Sequence, residues 1–91
     1  MPSTVSRERV LKRVCMLAAS YAGVDAAEVT ERSRYGVDLN FDSMSDVEFV
    51  IAVEEEFGLS LPDEQIERVE TIGQTVDLIL PAIRRKTAST R

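Results

Sequence analysis

The stretch that decides the fold is Asp42-Ser43-Met44-Ser45-Asp46-Val47-Glu48-Phe49-Val50-Ile51-Ala52-Val53-Glu54-Glu55-Glu56-Phe57. Its apolar residues recur at helical spacing, and the following Gly58 predicts that a helix from about Ser43 ends at Phe57. On a helical wheel, one side carries a stripe that suits burial in a core, formed by Phe49, Val50, Val53 and Phe57.

A second apolar strip lies on another side of the same helix and consists of Met44, Val47 and Ile51. A helix that only supports a fold needs one apolar stripe, so the second strip predicts contact with a partner. Residues 42–57 contain six acidic residues and no basic residue. Carboxylates around apolar contacts favour charge-steered docking. The predicted docking surface consists of Val47, Glu48, Ile51, Glu54 and Glu55.

Helical periodicity also predicts a first helix from about Ser6 to Tyr21, which Gly23 ends. Its apolar face consists of Val10, Val14, Leu17, Ala18 and Tyr21. A long connection follows, from Val24 to about Asn40. Because loops of this length are usually held down by side chains, we expect anchors on the core at Val29, Tyr35, Val37 and Leu39.

Two further helices are predicted after Gly58. Pro62 suits the start of a short third helix, which is expected to reach about Val69. Thr71 and Gln74 have the spacing of a capping box at the start of the last helix. The buried face of that helix would consist of Ile72, Val76, Ile79, Leu80 and Ile83, with Pro81 causing a kink or an early end near Leu80.

No convincing strand pattern accompanies these helices. The sequence therefore predicts an all-α fold, a small four-helix bundle of three main helices and one short helix with a long first loop. At 91 residues the chain suits a single core. We expect one domain over residues 1–83 and a flexible basic tail over residues 84–91.

Composition excludes several functional classes. The chain has no histidine, which removes Ser-His activation of a nucleophile and the commonest transition-metal ligand, so an enzyme or a metal site is not expected. One cysteine cannot form a disulfide within the chain. The formal charge of −5 and the acidic centre argue against nucleic acid as a partner.

Location is also constrained by the sequence. No apolar run is long enough to span a membrane. The segment from Arg7 to Ala19 faintly resembles a signal peptide, but its removal would delete the first amphipathic helix. We therefore expect a cytoplasmic protein that is a monomer on its own.

Ser43 has a simple structural interpretation. Ser43-x-x-Asp46 has the spacing of a capping box, although Asp replaces the usual Glu or Gln. Taken alone, this pattern favours a helix N-cap. Capping and modification are compatible, however, because a helix N-terminus also favours a bound phosphodiester.

The chain from Gly23 to Ile79 resembles the acyl carrier protein family without a gap. The matching segments lie at Gly23-Val24, Glu28-Val29-Thr30, Asp38-Leu39, Asp42-Ser43, Val47-Glu48, Glu54-Glu55-Glu56-Phe57, Pro62-Asp63-Glu64, Thr71-Ile72 and Asp77. The resemblance implies a covalent 4'-phosphopantetheine on Ser43, installed from coenzyme A by a phosphopantetheinyl transferase with magnesium. Asp42 would help to position that reaction, and Met44 would fill the hydrophobic position usually held by Leu.

The family's function then follows from the same resemblance. The arm would hold acyl groups as thioesters and present them to fatty-acid, polyketide or specialised lipid enzymes, such as acyltransferases and ketosynthases with basic docking patches. The protein would supply tethering and shelter the acyl chain between its helices. Glu48, Ile51, Glu54 and Glu55 match the family's docking positions.

Three positions depart from the family pattern. Asn40 and Phe41 replace the usual Gly and small residue, and Ser45 replaces the usual Asp. Together with the basic ends of the chain, they favour a specialised carrier over a housekeeping one. Phe41 would either pack under the loop or contact the arm or a partner.

Other interpretations of the same residues are a peptidyl or aminoacyl carrier of non-ribosomal synthesis, which would share Ser43, and an unmodified helical interaction module. Asp38-x-Asn40-x-Asp42 also resembles the start of an EF-hand loop. The glycine and the bidentate Glu that such a loop needs are replaced by Ser43 and Phe49.

Overall fold

The computed structural model describes residues 6–89, without the side chains of 87–89. Its four α-helices are α1 (Arg7–Ala22), α2 (Ser43–Phe57), α3 (Asp63–Ile66) and α4 (Ile72–Ser89), and a 3-10 helix spans Ala26–Glu28. The described residues contain no strand, only an isolated antiparallel bridge between Arg34 and Thr71. The predicted all-α, four-helix fold is confirmed.

Helix α1 has the ends that its sequence predicts. The Ser6 side chain accepts a hydrogen bond from the Arg9 N–H at 3.2 Å, which satisfies one of the free amides of the first turn. Gly23 takes a left-handed conformation with φ 76°, and its N–H donates to the Ala19 carbonyl at 2.8 Å. Gly is suited to this position because it has no Cβ.

The core is built from one face of each long helix together with the first loop. Its most buried large side chains are Ile72, Ile79, Val10, Val14, Val53 and Val76. Helix α1 packs against both α4 and α2. Val29, Tyr35 and Leu39 anchor the first loop as predicted. Val37 does not, because it is 71% exposed at a turn that points its side chain into solvent, so that prediction is wrong.

The first loop is held to the start of α4 by backbone hydrogen bonds. The Ile72 N–H donates to the Ser33 carbonyl at 3.0 Å, and the Gly73 N–H donates to the Glu31 carbonyl at 2.8 Å. These amides belong to the first turn of α4, where no partner exists within the helix. The loop therefore supplies hydrogen-bond acceptors that α4 needs, and its position is fixed.

The capping box of α4 is confirmed. The Gln74 N–H donates to Thr71 Oγ1 at 3.2 Å, and the Thr71 N–H donates to Gln74 Oε1 at 3.1 Å. Helix α3 is shorter than predicted and ends at Ile66, while the turn through Arg68 and Val69 continues with hydrogen bonds to Gln65 and Ile66.

Helix α4 does not end near Leu80 but continues through Pro81 to Ser89. Pro81 is exposed, so its ring lies on the solvent side. Because proline has no N–H, Pro81 cannot donate the helical hydrogen bond to the Asp77 carbonyl. Asp77 is exposed, so water can donate to that carbonyl instead. The backbone over residues 84–89 is thus the end of α4, and the division into a domain and a flexible tail stays a prediction. Within residues 6–89, no helix is both long and apolar enough to cross a membrane.

Candidate functional site at the start of helix α2

The N-cap of α2 is Asp42, not Ser43. Asp42 Oδ1 accepts a hydrogen bond from the Ser45 N–H at 2.8 Å, and the Asp42 carbonyl accepts one from the Asp46 N–H at 3.0 Å. The backbone N–H of Ser45 lowers the pKa of the Asp42 carboxyl, because it stabilises the charged form. The interpretation of Ser43 as the cap is therefore wrong, since Asp42 already performs that role.

Ser43 is the first residue of α2 and is exposed. Within the described part of the chain, its hydroxyl makes no hydrogen bond to another residue. Ser43 is thus free of a structural task, and its oxygen can be reached from solvent. These are the properties that a site of covalent modification needs.

The residues before Ser43 hold it in place. Asn40 has a left-handed backbone with φ 58°, the conformation that Asn tolerates best among residues other than Gly. Phe41 is buried, and its ring centroid lies 5.4 Å from that of Tyr35 and 5.5 Å from that of Phe49. Of the two roles considered for Phe41, the structure shows packing under the loop.

A cavity of about 630 Å³ opens beside Ser43. It lies between α2, α3, α4 and the end of the first loop, and its apolar wall includes Phe49, Val50, Val53, Leu61, Ile66 and Leu78. Ser43 lines the cavity and is exposed, so it lies where the cavity meets solvent. A group attached to Ser43 could therefore enter the cavity without crossing the core.

The second apolar strip of α2 is exposed as predicted. The side chains of Met44, Val47 and Ile51 are 69%, 59% and 48% exposed. Glu48 and Glu55 are also exposed. Large apolar side chains beside free carboxylates on one helix form a surface suited to docking.

Glu54 differs from the other predicted docking residues. It is half-buried, and its Oε2 accepts a hydrogen bond from the Leu61 N–H at 2.8 Å. Glu54 thus holds the loop between α2 and α3, and one of its carboxylate oxygens is already occupied.

Two buried polar residues of the cavity were not identified as site residues from the sequence. Tyr35 was predicted only as a loop anchor, and Thr75 was not singled out, yet both line the cavity. Thr75 follows Ile72 by three residues on the buried face of α4. A hydroxyl residue at a helix position where the pattern expects an apolar side chain is the sequence signal that could have indicated Thr75.

The residues present fit a 4'-phosphopantetheine arm. The Ser43 oxygen is exposed, and the start of α2 favours the negative charge of a phosphodiester. The adjacent apolar cavity suits an acyl chain. When bound, such an arm supplies a thiol that holds an acyl group as a thioester.

Residues 12–79 match the family model described as "Phosphopantetheine attachment site". The chain is 36% identical over 76 residues to an acyl carrier protein of Rubrobacter xylanophilus, covering 84% of this chain and 94% of that protein. It is 37% identical over 75 residues to an acyl carrier protein of Prochlorococcus marinus, covering 82% of this chain and 94% of that protein. A solved acyl carrier protein from Enterococcus faecalis matches with a TM-score of 0.71 and 38% identity, over 86% of this chain and 99% of that one.

The fold and the match over residues 12–79 define the class as a carrier domain with a covalent 4'-phosphopantetheine. The chain belongs to the acyl carrier protein family, and its function is to carry acyl groups on that prosthetic group. The resemblance found in the sequence is confirmed. Carriers of this family interact with a phosphopantetheinyl transferase and with acyl-processing enzymes.

Proposed function

We propose that Ser43 is the residue that carries the 4'-phosphopantetheine arm. The observation that supports this most strongly is that Asp42 caps α2, which leaves the exposed Ser43 hydroxyl without a structural role. Ser43 also lines the cavity of about 630 Å³, so the attached chain has an apolar space beside its point of attachment.

The test is intact mass after incubation with coenzyme A, magnesium and a broad-specificity phosphopantetheinyl transferase. We expect a single gain of one phosphopantetheine in the natural protein and none in Ser43→Ala. Ser45→Ala is the matched control, because Ser45 is in the same helical turn, and it should gain the arm normally. A gain of phosphopantetheine mass in Ser43→Ala, or the absence of that gain in Ser45→Ala alone, would show that the attachment residue is not Ser43.

The proposed role of the protein is tethering, without catalysis of its own. An arm on Ser43 raises the effective concentration of its acyl group at each docked enzyme. The cavity beside Ser43 has a mainly apolar wall, which would cover part of the acyl chain between visits. Burial of each methylene there would contribute about 0.8 kcal/mol.

The proposed docking surface is the exposed strip of α2, with Val47 and Ile51 as apolar contacts and Glu48 and Glu55 as charges. Met44 adjoins the attachment residue and extends the strip to it. Glu54 would contribute with its outer oxygen only, since Oε2 is engaged by Leu61. The proposed partners are acyl-processing enzymes that present a basic patch to this strip.

A further inference from the structure

Besides five exposed polar residues, two buried hydroxyl groups line the otherwise apolar cavity; the exposed residues are Arg34, Ser43, Asp46, Glu67 and Glu70. Tyr35 and Thr75 both line it, and they are only 8% and 6% exposed. Their hydroxyls are hydrogen-bonded to each other, which connects the first loop to α4. Neither hydroxyl has a task in the attachment at Ser43, so the pair calls for a separate explanation.

Packing alone does not require the pair. The Tyr35 ring centroid lies 5.4 Å from that of Phe41 and 5.3 Å from that of Phe49, and a phenylalanine would keep both contacts. Replacing both partners of a buried hydrogen bond with apolar groups of the same shape can be nearly neutral or stabilising. A ligand in the cavity therefore explains the two hydroxyls better than the fold does.

The pair retains hydrogen-bonding capacity after its own bond is made. Thr75 Oγ1 donates to the Thr71 carbonyl oxygen at 3.4 Å. In that arrangement Tyr35 donates to Thr75, and the phenol oxygen still accepts. If Thr75 turns to donate to Tyr35, the phenol proton becomes available to a carbonyl. Burial raises the pKa of Tyr35, so the phenol remains a donor throughout the neutral range.

We propose that the cavity is selective for an acyl chain that bears a carbonyl or hydroxyl oxygen along its length. The inference rests on the proposed attachment at Ser43, which brings the chain to this cavity. An oxygenated chain loses hydrogen bonds to water when it is buried, and that cost is offset only if the wall offers a partner. Tyr35 and Thr75 offer one to a ketone or to an alcohol, whereas a saturated chain gains nothing from them.

The test compares chains loaded on the arm through a hydrolysis-resistant amide. Thermal unfolding is measured for the unacylated natural protein and for four acylated forms of it. The four chains are octanoyl, 3-oxo-octanoyl, 5-oxo-octanoyl and 3-hydroxyoctanoyl. At least one oxygenated chain should raise Tm above the octanoyl form by about 4 °C, the shift that one added hydrogen bond produces in a domain of this size. Octanoyl stabilisation equal to or above that of every oxygenated chain would overturn the proposal.

The double variant Tyr35→Phe with Thr75→Val keeps the shapes and removes both hydroxyls. It should lose the preference while octanoyl still stabilises it, and a preference that persists in the folded variant would also overturn the proposal. Should the variant fail to fold, a 13C label in the ketone of the natural protein decides instead. Because water already hydrogen-bonds a free ketone, a resonance downfield of the free chain's value in water indicates a bond to the stronger phenol donor of Tyr35. A resonance at or upfield of that value counts against the proposal.

The two proposals fail in different ways. Intact mass is read before any chain is compared, so absence of the arm on Ser43 counts against the attachment site. An arm on Ser43 together with no preference among chains counts against the selectivity alone.

Discussion

Asp42 caps α2 and leaves the neighbouring Ser43 hydroxyl without a hydrogen bond among the described residues. Spacing alone favours Ser43 as the cap of α2, through Ser43-x-x-Asp46, although Asp is as good an N-cap residue as Ser. The structure chooses Asp42, because the turn at Asn40 and the burial of Phe41 fix where the chain enters α2. Only that tertiary packing identifies Ser43 as uncommitted.

The first prediction concerns this division of roles. Asp42→Ala removes the acceptor of the Ser45 N–H and should lower Tm by about 4–8 °C, as expected for loss of a helix cap. Ser43→Ala removes no hydrogen bond within the described residues and should change Tm by about 2 °C or less. Thermal unfolding of both variants tests this, and equal losses would show that Ser43 shares in capping.

The effect of Asp42→Ala on thermal stability should depend on pH in a defined direction. The pKa of Asp42 is lower in the folded protein than its ordinary value, so its charged form stabilises the fold above the unfolded-state pKa. That contribution is lost as the pH falls through the lowered folded-state pKa. The Tm difference between the natural protein and Asp42→Ala should therefore be largest near neutral pH and shrink in acid. A constant difference would contradict a role for the charge.

Asn40 carries the third residue-scale prediction. Its φ of 58° costs most L-residues about 1–2 kcal/mol and is least favourable for β-branched side chains. Asn40→Val should therefore lower the free energy of unfolding by about 1–2 kcal/mol. Asn40→Gly, the matched control, should stay close to the natural protein. Urea unfolding measures both, and a stable Asn40→Val protein would mean that the turn can change its conformation.

At the scale of elements, the sequence predicts helices better than it predicts their connections. The bounds of α1 and α2 follow from apolar periodicity and from Gly23 and Gly58, which are signals contained in each helix. The docking of the first loop depends on bonds from Ile72 and Gly73 to carbonyls some forty residues earlier in the chain. Such backbone contacts are not encoded in the side-chain pattern, so the residues that line the cavity could not be predicted, although the family resemblance implied shelter for an acyl chain between the helices.

Some residues of the candidate site could likewise be predicted from the sequence, and others could not. Ser43 was identified through the resemblance to the acyl carrier protein family, and the strip with Val47 and Ile51 was identified through spacing on one helix. The Tyr35–Thr75 pair joins two elements distant in sequence and was missed. Glu54 looked equivalent to Glu55 on a helical wheel, and only the structure shows its bond to the loop at Leu61.

The exposed face of α2 gives the element-scale prediction. Glu48→Lys reverses a charge beside the apolar strip and should lower kcat/KM for arm transfer by about 10-fold, equivalent to about 1.4 kcal/mol of binding. The matched control is Glu28→Lys, which makes the same change on the 3-10 helix. Glu28→Lys should transfer normally, and both variants should keep the natural Tm within about 2 °C. Equal transfer by the two variants would exclude Glu48 from the docking surface.

At the scale of the whole molecule, the ion pairs of the described residues involve none of the acidic residues of the proposed docking surface. Arg7 of α1 binds Glu31 and Asp77 at 2.6 and 2.7 Å, and Arg13 pairs with Glu56. Within residues 6–89, no ion pair engages Glu48 or Glu55. The apolar strip of α2 is therefore flanked by two carboxylates, Glu48 and Glu55, that no ion pair within the described residues neutralises.

This distribution predicts how salt acts on the carrier. The molecule measures 41 × 27 × 18 Å, so at about 0.01 M salt, where the Debye length is about 30 Å, its charges act together on an approaching enzyme. At about 1 M salt the Debye length falls to about 3 Å and the steering is lost. We expect kcat/KM for arm transfer to fall steeply over this range while kcat changes little, because steering governs encounter and not chemistry. Glu48→Lys should show a shallower fall than the natural protein, and Glu28→Lys should show the same fall. Identical salt slopes for all three proteins would mean that encounter does not depend on the charge of α2.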